Sequence, residues 1–243
     1  LKLLVNNEMY RVVRDESGFV VDFVVTGTTE DKMLTVMACA VPKQLVESYS
    51  ALLKELKLTP YALTVPEDSV AKLLSKTALN GNVHDSCNII VVDIGYSKLA
   101  FYGFSKGVSR FNRSDVSPVQ EFVREIGSLN RVDVTMAHMQ DFDLSPGYEY
   151  ENPAMTDTCR YFVYRLSEEI QKYTQYLIMN SELKEVEKIY ICGGISNVNG
   201  LDMALTESLR VPVETIHSVG RLKVADGLPV TKLCVAAGAL MRK

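Results

Sequence analysis

The stretch Cys87-Asn88-Ile89-Ile90-Val91-Val92-Asp93-Ile94-Gly95-Tyr96-Ser97-Lys98 decides the fold. Cys87–Ile94 is a short apolar run, and it reads as a buried strand that ends in an acid. Gly95-Tyr96-Ser97 makes a tight turn, and Lys98–Phe104 returns as a second strand. Ser105-Lys106-Gly107 turns again into a third strand, Val108–Asn112, so the three form a meander. An acid at the end of a buried strand costs on the order of several kcal/mol of desolvation unless it meets a partner or a cation. Gly95 lets the backbone turn sharply and brings amide groups close to an anion, so the hairpin can wrap a phosphate. A plain β-turn with a capping Asp accounts for the same residues.

A second corner lies roughly a hundred residues downstream. Ile189-Tyr190-Ile191-Cys192 is an apolar strand, part of Val186–Cys192, that feeds Gly193-Gly194 and then Asn199-Gly200-Leu201. Leu201–Leu209 has helical spacing, and a helix start offers unpaired amides and a positive dipole end. Bare glycines let a nucleotide lie against the main chain, although they serve close strand–helix packing equally well. The pattern is not Gly-x-Gly-x-x-Gly, which supports a dinucleotide site only weakly.

Between the corners, Pro118–Ile126 reads as a short helix, Val132–Met139 as strand or helix, and Asp141–Pro153 as loop. Thr156–Asn180 is the longest helical pattern, with Phe162, Leu166, Ile170, Tyr173 and Leu177 recurring on one side. Val213–Ile216 is a strand, and Val230–Met241 a closing apolar helix. Upstream, Phe19–Thr26 and Met33–Val41 form a hairpin, Lys43–Leu56 a helix, Tyr61–Val65 a strand, and Pro66 opens a further helix that Asn80-Gly81-Asn82 stops. A polar, turn-rich break at Asn80–Ser86 separates this small α+β part from the rest.

Composition narrows the function classes. The 243 residues are 47% hydrophobic and 23% charged, enough to build a real core. The net charge is -4 and no basic stripe exists, so nucleic acid is not an expected partner. The longest apolar stretches, such as Leu34–Val41, fall far short of about 20 residues, which excludes a membrane span, and no leader pattern opens the chain. The first residue is Leu1, not Met, and the expectation is a fragment of a longer chain. Five widely spaced cysteines, Cys39, Cys87, Cys159, Cys192 and Cys234, fit a reducing compartment with no disulfide framework. His84, His138 and His217 are isolated, and no residue set has metal-ligand spacing. The acids of the 141–151 loop lack EF-hand spacing, and Tyr161, Tyr164, Tyr173 and Tyr176 read as a partly buried helix face rather than a base-stacking stripe. No P-loop, Gly-x-Ser-x-Gly or Ser/His/Asp set occurs.

The two corners in this order, followed by the closing helix, resemble the actin-like ATPase superfamily, which includes actin, sugar kinases, heat-shock chaperone ATPases and FtsA. Within it the chain is similar to the PilM family of cytoplasmic, actin-like type IV pilus assembly proteins. The resemblance rests on Ala40–Val46 with Leu58-Thr59-Pro60, Val91–Gly95, Leu166–Lys172, Ile189–Leu201 and Ala236–Arg242. It implies an α/β, actin-like (ribonuclease-H-like) fold with the first lobe missing. A small α+β subdomain would span 1–64, a bridging helix of the missing lobe 65–84, and a second lobe 85–243 with a helical insertion at about 113–185. It also implies a nucleotide site. Asp93, Gly95, Tyr96, Ser97 and Lys98 would form the phosphate hairpin, and Gly193, Gly194 and Ser196 the adenosine loop, with ATP and Mg as the cofactor.

Departures from the family qualify the chemistry. The family's first phosphate loop has no counterpart after Leu1. Lys98 and Leu99 stand where threonines are usual, Arg113-Ser114-Asp115-Val116 replaces a Gly-Gly, and Ala137-His138-Met139-Gln140-Asp141 replaces a base-clasping Ala-Glu-x-x-Lys. Hydrolysis needs a positioned water and a metal-held phosphate, so phosphoryl transfer is expected to be impaired and no catalytic residue is assigned. Lys98 would either neutralise phosphate in place of a cation or fill the cleft. The function the resemblance implies is a scaffold at the inner face of the cell membrane. It would bind the cytoplasmic tail of a PilN-like inner-membrane protein, attach to the membrane through that partner, and have some scope for self-association. The rival readings are a small-molecule kinase or ATPase, and an FtsA-like filament protein.

Overall fold

The computed structural model describes all residues except 16, 29–30, 77, 132–135, 221–229 and 242–243. The chain divides into two units, Leu1–Thr64 and Val65–Lys243.

In the first unit, helix α1 (Lys2–Val13) and helix α2 (Lys43–Glu55) pack on a two-stranded antiparallel hairpin of β1 (Phe19–Thr28) and β2 (Leu34–Pro42). The register runs from Phe19 opposite Pro42 to Thr28 opposite Leu34, with a bulge between Val25 and Gly27. The Asp15 carboxylate accepts the amides of Ser17 and Gly18 and the Ser17 hydroxyl, which closes the turn into β1 and holds its pKa below the ordinary value. The sequence reading contained no α1, because its exposed Leu3, Leu4 and Val12 break the one-sided apolar pattern. Tyr61–Val65, read as a strand, is irregular: Tyr61 is 88% exposed, and the segment belongs to neither sheet among the described residues. Alternating β-formers cannot hold an extended segment without a ladder.

The second unit begins with helix α3 (Pro66–Lys76). Its sheet contains β3 (Asn88–Ile94), β4 (Lys98–Ser105), β5 (Val108–Val116), β6 (Lys188–Cys192) and β7 (Val213–Thr215), in the order β5-β4-β3-β6-β7. The meander β3-β4-β5 is antiparallel, while β3-β6 and β6-β7 are parallel. Strand β3 is apolar on both faces because helices cover both. Ile90, Val92 and Ile94 enter one core with α4 (Val119–Asn130), α5 (Pro153–Met179) and α6 (Leu201–Leu209). Ile89 and Val91 enter the other with α3 and α7 (Val230–Leu240). Helix α3, assigned from the sequence to a missing lobe, therefore buries Val70, Leu73 and Leu74 within this unit. Its crossing with α7 is close, since a Cβ on Gly238 would fall 2.0 Å from the Ser69 carbonyl oxygen.

Strand β5 runs four residues past its predicted end, with Arg113–Val116 paired to β4. Helix α5 starts earlier than predicted, at Pro153, where the Asn152 side chain accepts the Ala154 amide. Its tyrosines divide: Tyr173 is buried against Phe101 and Phe111, while Tyr161 and Tyr164 are exposed. Of the ambiguous Val132–Met139, residues 132–135 lie outside the described residues, and Met136–Asp141 is a 3-10 helix. Cys87, Cys159, Cys192 and Cys234 are buried free thiols. No helix among the described residues is long and apolar enough to cross a membrane.

Candidate functional site

Strands β3 and β6 run parallel and end level, with Asp93 in register with Cys192. Both glycine corners therefore fall on one edge of the sheet, at the carboxyl ends of its parallel strands. Open α/β sheets bind ligands at that edge. The corners touch rather than face each other across a gap. The Ile195 amide donates to the Ile94 carbonyl at 3.4 Å, and a Cβ on Gly193 would lie 2.4 Å from Asp93 Oδ1 and 2.7 Å from the Ile94 carbonyl oxygen. With φ at +97°, Gly193 occupies a backbone conformation that side-chain-bearing residues avoid. Close strand packing thus explains this glycine without a ligand.

At the other corner, the Gly95 amide donates to the Lys98 carbonyl at 3.1 Å, and a Cβ there would sit 2.8 Å from that oxygen. Tyr96, Ser97 and Lys98 are exposed on the hairpin, and the Ser97 carbonyl accepts the Ser117 amide. Gly95 donates to Lys98, and the Gly193 amide donates to the Thr231 carbonyl at 2.9 Å, so both serve the fold. Ser196 is buried, and its hydroxyl donates to the Gly193 carbonyl at 2.8 Å while its own carbonyl accepts Thr215 Oγ1. These two bonds tie the loop to itself and to β7. Gly194 is half-buried beside Gly193.

The helix start expected to offer amides lies elsewhere. Gly200 caps α6, and a Cβ on it would meet the backbone of Ser145 at 2.3 Å. The Leu144 amide donates to the Asn199 carbonyl, and Asn199 Nδ2 donates to Asp143 Oδ2. The 143–145 loop therefore packs on that end of α6.

Asp93 and Lys98 carry the charge at the edge. Burial raises the Asp93 carboxyl above its ordinary value, and the Lys98 charge pulls it back down. The neighbouring Cys192 thiol is held well up by its hydrogen bond with Cys234 and by burial, so it stays a thiol and not a nucleophile. An ammonium beside a half-buried acid fits a phosphate chain. Mg is commonly held by one or two carboxylates together with phosphate oxygens and waters, so the Asp93 carboxyl is compatible with a Mg-nucleotide.

Two features escaped the sequence reading. A cleft of about 420 Å³ opens between the 143–148 loop, α5 and α6, lined in part by Tyr148, Arg160, Val163, Glu207 and Arg210. Asp143 builds the loop, accepting the Ser145 amide at 2.8 Å. On the α3–α7 side, buried His84 shares a 3.0 Å hydrogen bond with the Tyr190 hydroxyl, a pairing that one isolated histidine does not signal.

This mixed sheet, its β3-β4 hairpin and the level β3 and β6 corners define an actin-like fold. The ethanolamine utilization protein EutJ from Carboxydothermus hydrogenoformans superposes with a TM-score of 0.50 at 14% identity, covering 78% of this chain and 60% of that one. MreB5 of Spiroplasma citri bound to ADP gives 0.52 at 14% identity, covering 82% and 64%. A PilM-PilN type IV pilus biogenesis complex gives 0.72 at 19% identity, covering 98% and 70%. The family model described as type IV pilus assembly protein PilM matches residues 15–242, and the chain belongs to that family. No curated protein matches it.

Proposed function

We propose that this chain is a scaffold of type IV pilus assembly, working at the cytoplasmic face of the inner membrane. It docks the cytoplasmic tail of a PilN-like inner-membrane protein and reaches the membrane through that partner. The observation that carries this reading is the family match over residues 15–242; the likeness in fold to a PilM-PilN complex supports it.

A nucleotide, in this reading, sits at the edge formed by Asp93, Gly95, Tyr96, Ser97, Lys98, Gly193 and Gly194, and holds lobes in one orientation. The MreB5 structure with ADP supports a nucleotide for this fold. Turnover is weak or absent. Phosphoryl transfer needs a placed water and a strongly neutralised phosphate, and Lys98 and Leu99 stand where the family usually carries threonines.

Calorimetry with a synthetic PilN-like tail peptide tests the scaffold, alongside phosphate release from ATP and sedimentation. Tail binding without phosphate release supports the proposal. Absence of tail binding, or steady phosphate release, overturns it. Sedimenting polymer in place of tail binding favours a filament protein.

A further inference from the structure

We propose that the exposed face of α5 around Tyr161 and Tyr164, with the acids of α4 beside it, docks a basic segment of a partner protein. Arg and Lys side chains of that segment lie on the tyrosine rings and pair with Glu121, Glu125 and Glu168. The inference does not rest on the nucleotide edge.

Helix geometry gathers the face. At about 100° per residue, Asp157, Tyr161, Tyr164 and Glu168 fall within about 60° of one another around α5. Tyr161 is 46% exposed and Tyr164 54%, so two large rings stand in water with their centroids 6.4 Å apart. Both rings are held in place. The Tyr164 hydroxyl donates to Glu168 Oε1, and the Tyr161 hydroxyl accepts Arg165 Nη1 at 3.2 Å. Aromatic side chains already held in one orientation lose little freedom on binding, and tyrosine is among the residues that dominate protein interfaces.

Charge selects the partner. The groove between α4 and α5 is lined by Glu121 and Glu125 on one side and by Tyr161 and Arg165 on the other. Arg165 is already engaged, its guanidinium carbon 5.9 Å from the Tyr161 centroid, and it is an internal example of a guanidinium resting on this aromatic face. Arg124 lies about 100° round α4 from Glu125, and Arg160 pairs with Glu149 at 3.2 Å. Glu121, Glu125, Asp157 and Glu168 therefore outnumber the cation of this face. Such a rim repels a phosphate backbone or an anionic lipid surface. A second copy of this chain brings a net charge of -4 and no basic run. A cationic peptide segment is the occupant that fits.

The test is an amide NMR titration of the isotope-labelled full chain with a synthetic Arg-Gly repeat decapeptide, with a Glu-Gly decapeptide as control. The Arg-Gly peptide should shift Tyr161, Tyr164, Arg165, Glu168, Glu121 and Glu125, and the control should shift none of them. Tyr161→Ser combined with Tyr164→Ser should weaken binding about 10-fold, the size of two cation–π contacts. Tyr161→Phe combined with Tyr164→Phe should hold it within about 2-fold, because the rings remain. Glu121→Gln combined with Glu125→Gln should weaken it about 3-fold and lessen its dependence on salt. Melting curves confirm that these surface substitutions leave the fold intact. Binding that ignores the loss of the rings, or shifts centred elsewhere, reduces the effect to general attraction between opposite charges and overturns the inference. Equal binding of the Glu-Gly peptide, or no binding of the Arg-Gly peptide, overturns it as well.

Discussion

Replacing Gly193 by Ala tests whether the two corners are in contact. Two costs add. A side chain at φ +97° carries about 1–2 kcal/mol of backbone strain. The new Cβ would also lie 2.4 Å from Asp93 Oδ1 and 2.7 and 2.8 Å from the Ile94 carbonyl oxygen and amide nitrogen. Asp93 can swing aside, but the Ile94 backbone belongs to the central strand, so β3 and β6 must part locally. Overpacking of that kind costs about 1–3 kcal/mol. Gly147→Ala is the matched control. Its φ is +78°, and nothing lies within 4 Å of the position its Cβ would take, so it carries the strain without the clash. Urea unfolding followed by tyrosine fluorescence should find Gly193→Ala less stable than Gly147→Ala by about 1–3 kcal/mol, or roughly 2–10 °C in melting temperature. Equal losses for the two variants would refute the contact.

Other expectations follow from the packing. Gly238→Ala should lower the melting temperature by roughly 3–10 °C, because its Cβ would fall 2.0 Å from the Ser69 carbonyl oxygen and force α3 away from α7; an unchanged melt would contradict that crossing. Asn88 is 1% exposed, and its Nδ2 donates to Ser181 Oγ, the Leu183 carbonyl and the Glu185 carbonyl. Asn88→Ala should cost about 2–3 kcal/mol and speed amide exchange across 181–187, where unchanged exchange would remove Asn88 as the anchor. Burial, helped by the charge of Lys188, depresses the His84 imidazole below 6.5. The unfolded chain therefore binds the proton more readily, and stability present above pH 6.5 is lost as pH falls through the lower folded value. Unfolding free energies between pH 8 and pH 5 should slope upward with pH, and His84→Gln should flatten the slope.

Much of the second unit was legible because its strands carry their own punctuation. The apolar run into Asp93-Ile94-Gly95 could only be a buried strand ending in a turn, and Leu201–Leu209 lies between Gly200 and a left-handed Arg210. What stayed hidden depends on contacts distant in sequence. Nothing near Gly193 reveals that Ile94 fills the space where its side chain would go. Gly200 looked like an open helix start until Ser145, 55 residues earlier, proved to cover it. Ser196 carries a hydroxyl suited to a ligand, yet the Gly193 carbonyl three residues back accepts it. Helix α1 was invisible for another reason: Val5 is its one buried residue, so no apolar face marks it.

The most direct test of the nucleotide edge is an amide NMR titration of the isotope-labelled chain with a non-hydrolysable ATP analogue. The prediction is that Gly95, Ser97, Lys98, Gly193 and Gly194 shift together with one dissociation constant, while Gly147 and Tyr148 in the cleft beside α5 and α6 do not. Shifts confined to that cleft, or separate constants for the two corners, would contradict a single site at the ends of β3 and β6.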